Sequence, residues 1–341
     1  MTRLISCVVI AVLTLTGCTA AATPENSAPE PPEVSASQVE RSESEPVDAS
    51  SEDTSQTEVG APFTESWPAG FKRVDSIATA KVESMAFFEK RRPQSCPTTN
   101  TIFFEHKANN IDDFEIVIDA YMSVMCEYFD KDIFIAIGSY EFAKDKLQNT
   151  EAFLDEFGGV CGIPQPGVNT GCALNNTVWV LQNPTSDEDF VLFVLTHELF
   201  HVLQDSTQTD VTPTWRTPPT SELFVPSWFI EGSANFFLGM FLEYLEIADY
   251  EDVIDGPPSL LMGRDSPPGL ALLEQGWADS VYQNGQFGAE YLVANAGFEV
   301  LLEAFLLRNQ GVGFNEALIN LTGLSKEDFY ALVETADLAK G

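Results

Sequence analysis

The chain predicts an α+β fold in which a small mixed sheet packs on one long helix and a mostly helical C-terminal lobe follows. Three observations predict it. Two short apolar runs, Ile133 to Ile137 and Thr177 to Leu181, have the length and β-branched content of buried strands. The segment from Asp187 to Gln204 then turns to helical spacing. Downstream of Pro226 the apolar residues continue at helical spacing with few strand signals.

Residues 1–17 carry Arg3, an apolar stretch from Leu4 to Leu15, and then Leu15-Thr16-Gly17-Cys18. The apolar run is shorter than the ~20 residues of a spanning helix, and the pattern resembles a bacterial lipoprotein export signal with its lipobox. By that resemblance Cys18 becomes the lipid-modified N-terminus, and the protein is exported to the cell envelope and held at the membrane by its lipid alone. Residues 18–62 are rich in Pro, Ser, Ala and Glu, with ten acids against the single base Arg41 between Thr19 and Pro62. Such a segment buries too little apolar surface to offset its ordering entropy, and is expected to be a disordered acidic tether.

The remaining residues divide into an expected sheet-bearing lobe, 63–206, and a helical lobe, 207–341. Ile111 to Phe129 has helical apolar spacing and leads into the Ile133–Ile137 strand. Thr177-Val178-Trp179-Val180-Leu181 is closed by Asn183-Pro184, and Ser186 or Asp187 is the expected N-cap of the next helix. Residues 246–276, with Pro257-Pro258 and Pro267-Pro268, read as an irregular insertion.

Formal charge is −35, from 52 acids and 17 bases. This argues against nucleic acid, whose phosphates need cations, and against an anionic membrane surface. Of six cysteines, Cys7 leaves with the signal and Cys18 is lipidated, so Cys96, Cys126, Cys161 and Cys172 remain for disulfides in an exported domain. Three connectivities are open. The Gly/Pro-rich loop between Cys161 and Cys172 favours 161–172 with 96–126; four free cysteines are the alternative.

The chemistry is concentrated in His197-Glu198-Leu199-Phe200-His201, which uses two of only three histidines. Residues four apart share a helix face, so both imidazoles can reach one metal ion while Glu198 stands beside it. H-E-x-x-H is the pattern of zinc peptidases. A glycine and a histidine downstream would extend it to the metzincin form, but Gln204 and Thr207 stand there. The third histidine, His106, lies next to Glu105 and is expected to be a surface or capping side chain. Glu231, inside the nearly all-apolar run from Pro226 to Leu245, would be costly to bury ionised without a cation, and is the expected third ligand. Glu222, in a polar segment, is the second choice.

H-E-x-x-H followed by Trp228-x-x-Glu231-Gly232-x-Ala234 resembles the gluzincin group, the peptidase MA-like proteins of zincin-like fold. Tyr282-Gln283-Asn284-Gly285-Gln286-Phe287, Glu290-Tyr291-Leu292 and the helix start at Gly323 to Phe329 extend the likeness more loosely. The resemblance implies one zinc per chain on His197, His201 and Glu231, with Glu198 as general base, and a cleft whose rim is the strand before the motif helix, Thr177 to Leu181, to which an extended chain could add. Asn235 stands where the group often has an acid that orients a histidine, and so is expected beside the ligands. Tyr282 is the expected hydroxyl donor to the developing oxyanion, ahead of Tyr291. The implied activity is hydrolysis of peptide or protein substrates by a cell-surface peptidase; the oligomeric state stays open, with a monomer favoured. The alternative is a non-catalytic surface binding lipoprotein that retains the scaffold. Endopeptidase and aminopeptidase stay open, and a preference for basic peptides is suggested only by the acidic charge.

Overall fold

In the computed structural model, helices from distant parts of the chain enclose a four-stranded sheet. The structure describes residues 73–91, 96, 98–106, 111–129, 131–148, 171–182, 187–206, 217, 219–255, 269–274 and 280–335. The expected export signal, Cys18, the tether and Cys161 lie outside these residues. All described residues fall in one compact unit, Gln56–Gly341. No helix among them is long and apolar enough to cross a membrane.

The sheet contains β1 (Asn100–Phe104), β2 (Ile133–Gly138), β3 (Gly171–Leu174) and β4 (Thr177–Leu181) in the order β1-β2-β4-β3. β1, β2 and β4 run parallel, and β3 pairs antiparallel with β4 as a hairpin whose turn places Asn175 at φ 51°. Asparagine tolerates that left-handed conformation better than other non-glycine residues. Alternation along the strands sorts the two faces. Ile133, Ile135, Ile137, Val178 and Val180 join the main core, whereas Ala136 and Trp179 pack with Ala143 and Leu147 of α3 (Tyr140–Leu147) on the opposite face.

On the main face lie α2 (Ile111–Val124) and α4 (Glu188–Ser206), and α1 (Arg73–Lys90) joins the same core through Ala80, Phe87 and Phe88. Asp187 is the cap of α4: its carboxylate accepts from the Asp189 and Phe190 N–H groups at 3.1 and 3.5 Å. The Tyr121 hydroxyl of α2 donates to the Leu199 carbonyl inside α4. α5 (Ser227–Tyr244) is buried on almost every side, as its apolar sequence requires. Phe237 of α5 stacks on Phe200 of α4 and meets Phe88 and Tyr121 edge-on, so one aromatic cluster joins four helices.

The chain continues through α6 (Tyr250–Asp255), α7 (Ser280–Ala296), α8 (Val300–Asn309), α9 (Phe314–Thr322) and α10 (Lys326–Thr335). Trp228, in the first turn of α5, stacks on Phe329, and its indole N–H donates to Tyr330 at 2.8 Å. The closing helix is thereby fastened to the start of α5.

The α+β arrangement agrees with the sequence reading, with differences. β1, β3, α1 and α3 were not anticipated. Gly171-Cys172-Ala173-Leu174 lacks β-branched residues and extends by pairing with β4. The stretch read as an irregular insertion contains α6 and a 3₁₀ turn at Leu270–Leu273. β4 is no rim, since both its edges are paired; β3 is the edge strand beside it. Cys96 and Cys126 form a disulfide. Cys172 is also disulfide-bonded, and the expected 161–172 pairing rests on Cys161, outside the described residues.

Candidate metal centre

α4 and α5 cross so that His197, His201 and Glu231 converge. Their ligand atoms all lie within 4.8 Å of one another, and together they could hold a metal ion. The Nε2 atoms of His197 and His201 are 3.0 Å apart, and Glu231 Oε2 stands 3.2 Å from the first and 3.5 Å from the second. His197 and Glu231 are buried, and His201 nearly so. Two imidazole nitrogens and a carboxylate oxygen this close in an apolar interior need a shared cation or proton between them. Imidazole with carboxylate is a donor set that suits zinc and other divalent transition metals.

Charges in the group compensate one another. Burial disfavours the charged form of His201, but Glu231 beside it, together with Glu198 and Gln204, outweighs burial and raises the imidazole to about 10. Burial pushes Glu231 up, while the two histidines hold it down at about 2. A proton on His201 thus occupies the place a metal ion could take.

The flanking residues orient both rings. His197 Nδ1 lies 2.7 Å from Asn235 Oδ1, one turn beyond Glu231 on α5. His201 Nδ1 lies 2.8 Å from Gln204 Oε1, whose amide nitrogen donates to Ile230 O at 3.0 Å and Ser233 Oγ at 2.9 Å. Asn235 thus stands against the His197 ring. Gln204 was read only as the absence of a metzincin glycine, although its i+3 spacing from His201 was a signal that it shares that ring's helix face.

Glu198 is not among the three converging ligands. Its carboxylate is buried and accepts the Ala173 N–H of β3; burial raises its pKa, opposed by the two histidines and reinforced by Glu231. Gly171 makes room for it, because a Cβ there would lie 2.8 Å from Glu198 Oε1 and 2.5 Å from Val194 Cγ1. The edge strand that the sequence did not disclose is thus the element that seats Glu198.

Tyr282, half-buried on α7, has its ring centroid 5.9 Å from that of His197. Tyr291 is buried in the core. Glu222 is exposed on the turn before α5, outside the converging group. His106 stands at the end of β1, 3.8 Å from Glu105, and is not part of it either.

No family model, curated protein or solved structure matches the chain.

Proposed function

We propose that this chain is a zinc-dependent peptidase of the gluzincin type. One observation carries the proposal: two imidazoles and a carboxylate converge in a buried site, and a second buried carboxylate, Glu198, stands outside that ligand group. A structural metal site has no use for that second group. His197, His201 and Glu231 would hold the zinc, which would supply Lewis acidity and lower the pKa of water towards ~7.

The protein's own residues perform the rest. Glu198, its pKa raised by burial, is tuned to accept the proton of the attacking water and return it to the leaving amine. The Ala173 N–H keeps that carboxylate aimed. Tyr282 is the donor assigned to the developing oxyanion, on the strength of its place beside His197. The edge of β3 is the surface on which an extended peptide would lie. Export and anchorage through Cys18 belong to the same reading, supported by Leu15-Thr16-Gly17-Cys18 and by the Cys96–Cys126 disulfide, which persists in an oxidising compartment.

The test is the metal content of the full chain after dialysis, for wild type and Glu231→Ala, followed by digestion of a peptide library by wild type and Glu198→Gln. Zinc bound by wild type and lost from Glu231→Ala, with cleavage abolished in Glu198→Gln, is expected. Wild type that takes up no zinc when supplied with it sinks the reading. Zinc uptake without cleavage of any peptide leaves a non-catalytic binding lipoprotein in its place.

A further inference from the structure

We infer that Gln204 is the positioning residue that makes His201 a ligand through Nε2, and that it ties this ring to the helix carrying Glu231. The inference rests on the reading of His197, His201 and Glu231 as a metal site.

Its basis is an amide whose orientation is decided by its surroundings. Gln204 is 3 % exposed, and one end of its amide faces the Ile230 carbonyl at 3.0 Å and Ser233 Oγ at 2.9 Å. A carbonyl oxygen only accepts, so the end facing Ile230 is the NH₂. The Ser233 hydroxyl is directed to Phe229 O and Ile230 O, which leaves its oxygen lone pairs for Gln204. The other end, Oε1, therefore faces His201 Nδ1 at 2.8 Å and can only accept from it. His201 must carry a proton on Nδ1, which leaves Nε2 as the atom turned to His197 and Glu231.

The same logic does not fix Asn235. Its Oδ1 faces His197 Nδ1, but its buried amide nitrogen has no partner among the described residues. Rotating that amide loses nothing on its far side, so Asn235 can serve either tautomer. Gln204 cannot. Ile230 is also the residue before Glu231, so a single side chain on α4 sets His201 and, through the α5 backbone, the place of the carboxylate ligand. Both rings are met by neutral amides, and Glu231 supplies the only negative charge among the three ligands.

The experiment uses the full chain labelled with ¹⁵N-histidine and loaded with zinc. With three histidines in the sequence, long-range proton–nitrogen spectra assign each ring. Zinc affinity is measured in parallel by competition with a chelator, for wild type, Gln204→Leu and Gln204→Glu. In wild type, His201 should show a slowly exchanging Nδ1–H and zinc on Nε2. Gln204→Leu should lose that slow proton while His197 keeps its own, with zinc affinity reduced roughly 10- to 100-fold. Gln204→Glu, which still offers an oxygen to Nδ1 but has no N–H for the Ile230 carbonyl, should keep the slow proton while losing the tie to α5. Wild-type affinity and an unchanged His201 signal in Gln204→Leu would overturn the inference alone, as would zinc on Nδ1 of His201 in wild type. A wild-type chain that takes no zinc overturns the metal reading and this inference together. If Gln204→Leu does not fold, Gln204→Glu decides: a retained slow proton supports the assignment, and its loss at wild-type affinity refutes it.

Discussion

A Cβ on Gly232 would lie 2.0 Å from the carbonyl carbon of Gly285 and 2.3 Å from its Cα, so α5 and α7 touch backbone to backbone beside Glu231 of the candidate metal centre. The reverse holds: a Cβ on Gly285 would meet Trp228 O at 2.2 Å. This contact draws Tyr282, one helical turn before Gly285, to the ring of His197. Gly232→Ala should force the helices apart at a cost of about 3 kcal/mol or more, since the obstacle is backbone and cannot rotate away. Thermal unfolding measures it. An alanine variant as stable as wild type would show that the two helices do not meet this closely.

Gly171→Ala tests the seat of Glu198. The added methyl collides with Val194 and with the Glu198 carboxylate, so β3 or Glu198 must shift. None of the three converging ligands lies in this contact. On the proposed peptidase reading, peptide cleavage should fall roughly 10- to 100-fold, as misplacement of a reacting group by about 1 Å does, with zinc content unchanged. Loss of zinc in parallel with activity would place the damage elsewhere.

Metal binding should strengthen with pH. In the metal-free chain Glu231 is held down at about 2, so its contribution is present above its ordinary 4.5 and lost as pH falls through 2. His201 is raised to about 10, so its contribution is full below its ordinary 6.5 and lost as pH rises towards 10. The metal-free pair is therefore most stabilising between these ordinary values, and zinc must displace the His201 proton. The rise in melting temperature on adding zinc should be larger at about pH 8.5 than at about pH 6. Calorimetry at the two pH values checks this, and an equal or smaller rise at the higher pH contradicts it.

The Cys96–Cys126 disulfide closes a loop with a sequence separation of 30 residues, joining the start of the sheet to the end of α2. Replacing both cysteines by serine should cost about 3–4 kcal/mol through the freed unfolded chain. Denaturant unfolding of the double variant measures the loss. A loss below about 1 kcal/mol would mean that the loop is already restrained without the bond.

What could be read from the sequence were the parts set by local spacing. His197 and His201 share a face because four residues make about one helical turn, whatever surrounds the helix. Glu231 stood out because an ionisable group in a nearly all-apolar helix needs a partner, and Asp187 because capping is a contact within three residues. Tertiary structure alone decided the rest. Gly171-Cys172-Ala173-Leu174 has no strand signal of its own and becomes the edge that holds Glu198 by pairing with β4. Gln204 acquires its meaning from the Ile230 carbonyl, 26 residues away, and Gly232 from Gly285 across the helix crossing. Helical period and burial cost are properties of a segment, so they are written in its residues. The partner of a hydrogen bond or a close backbone contact is chosen only when distant segments pack, and no local pattern records that choice.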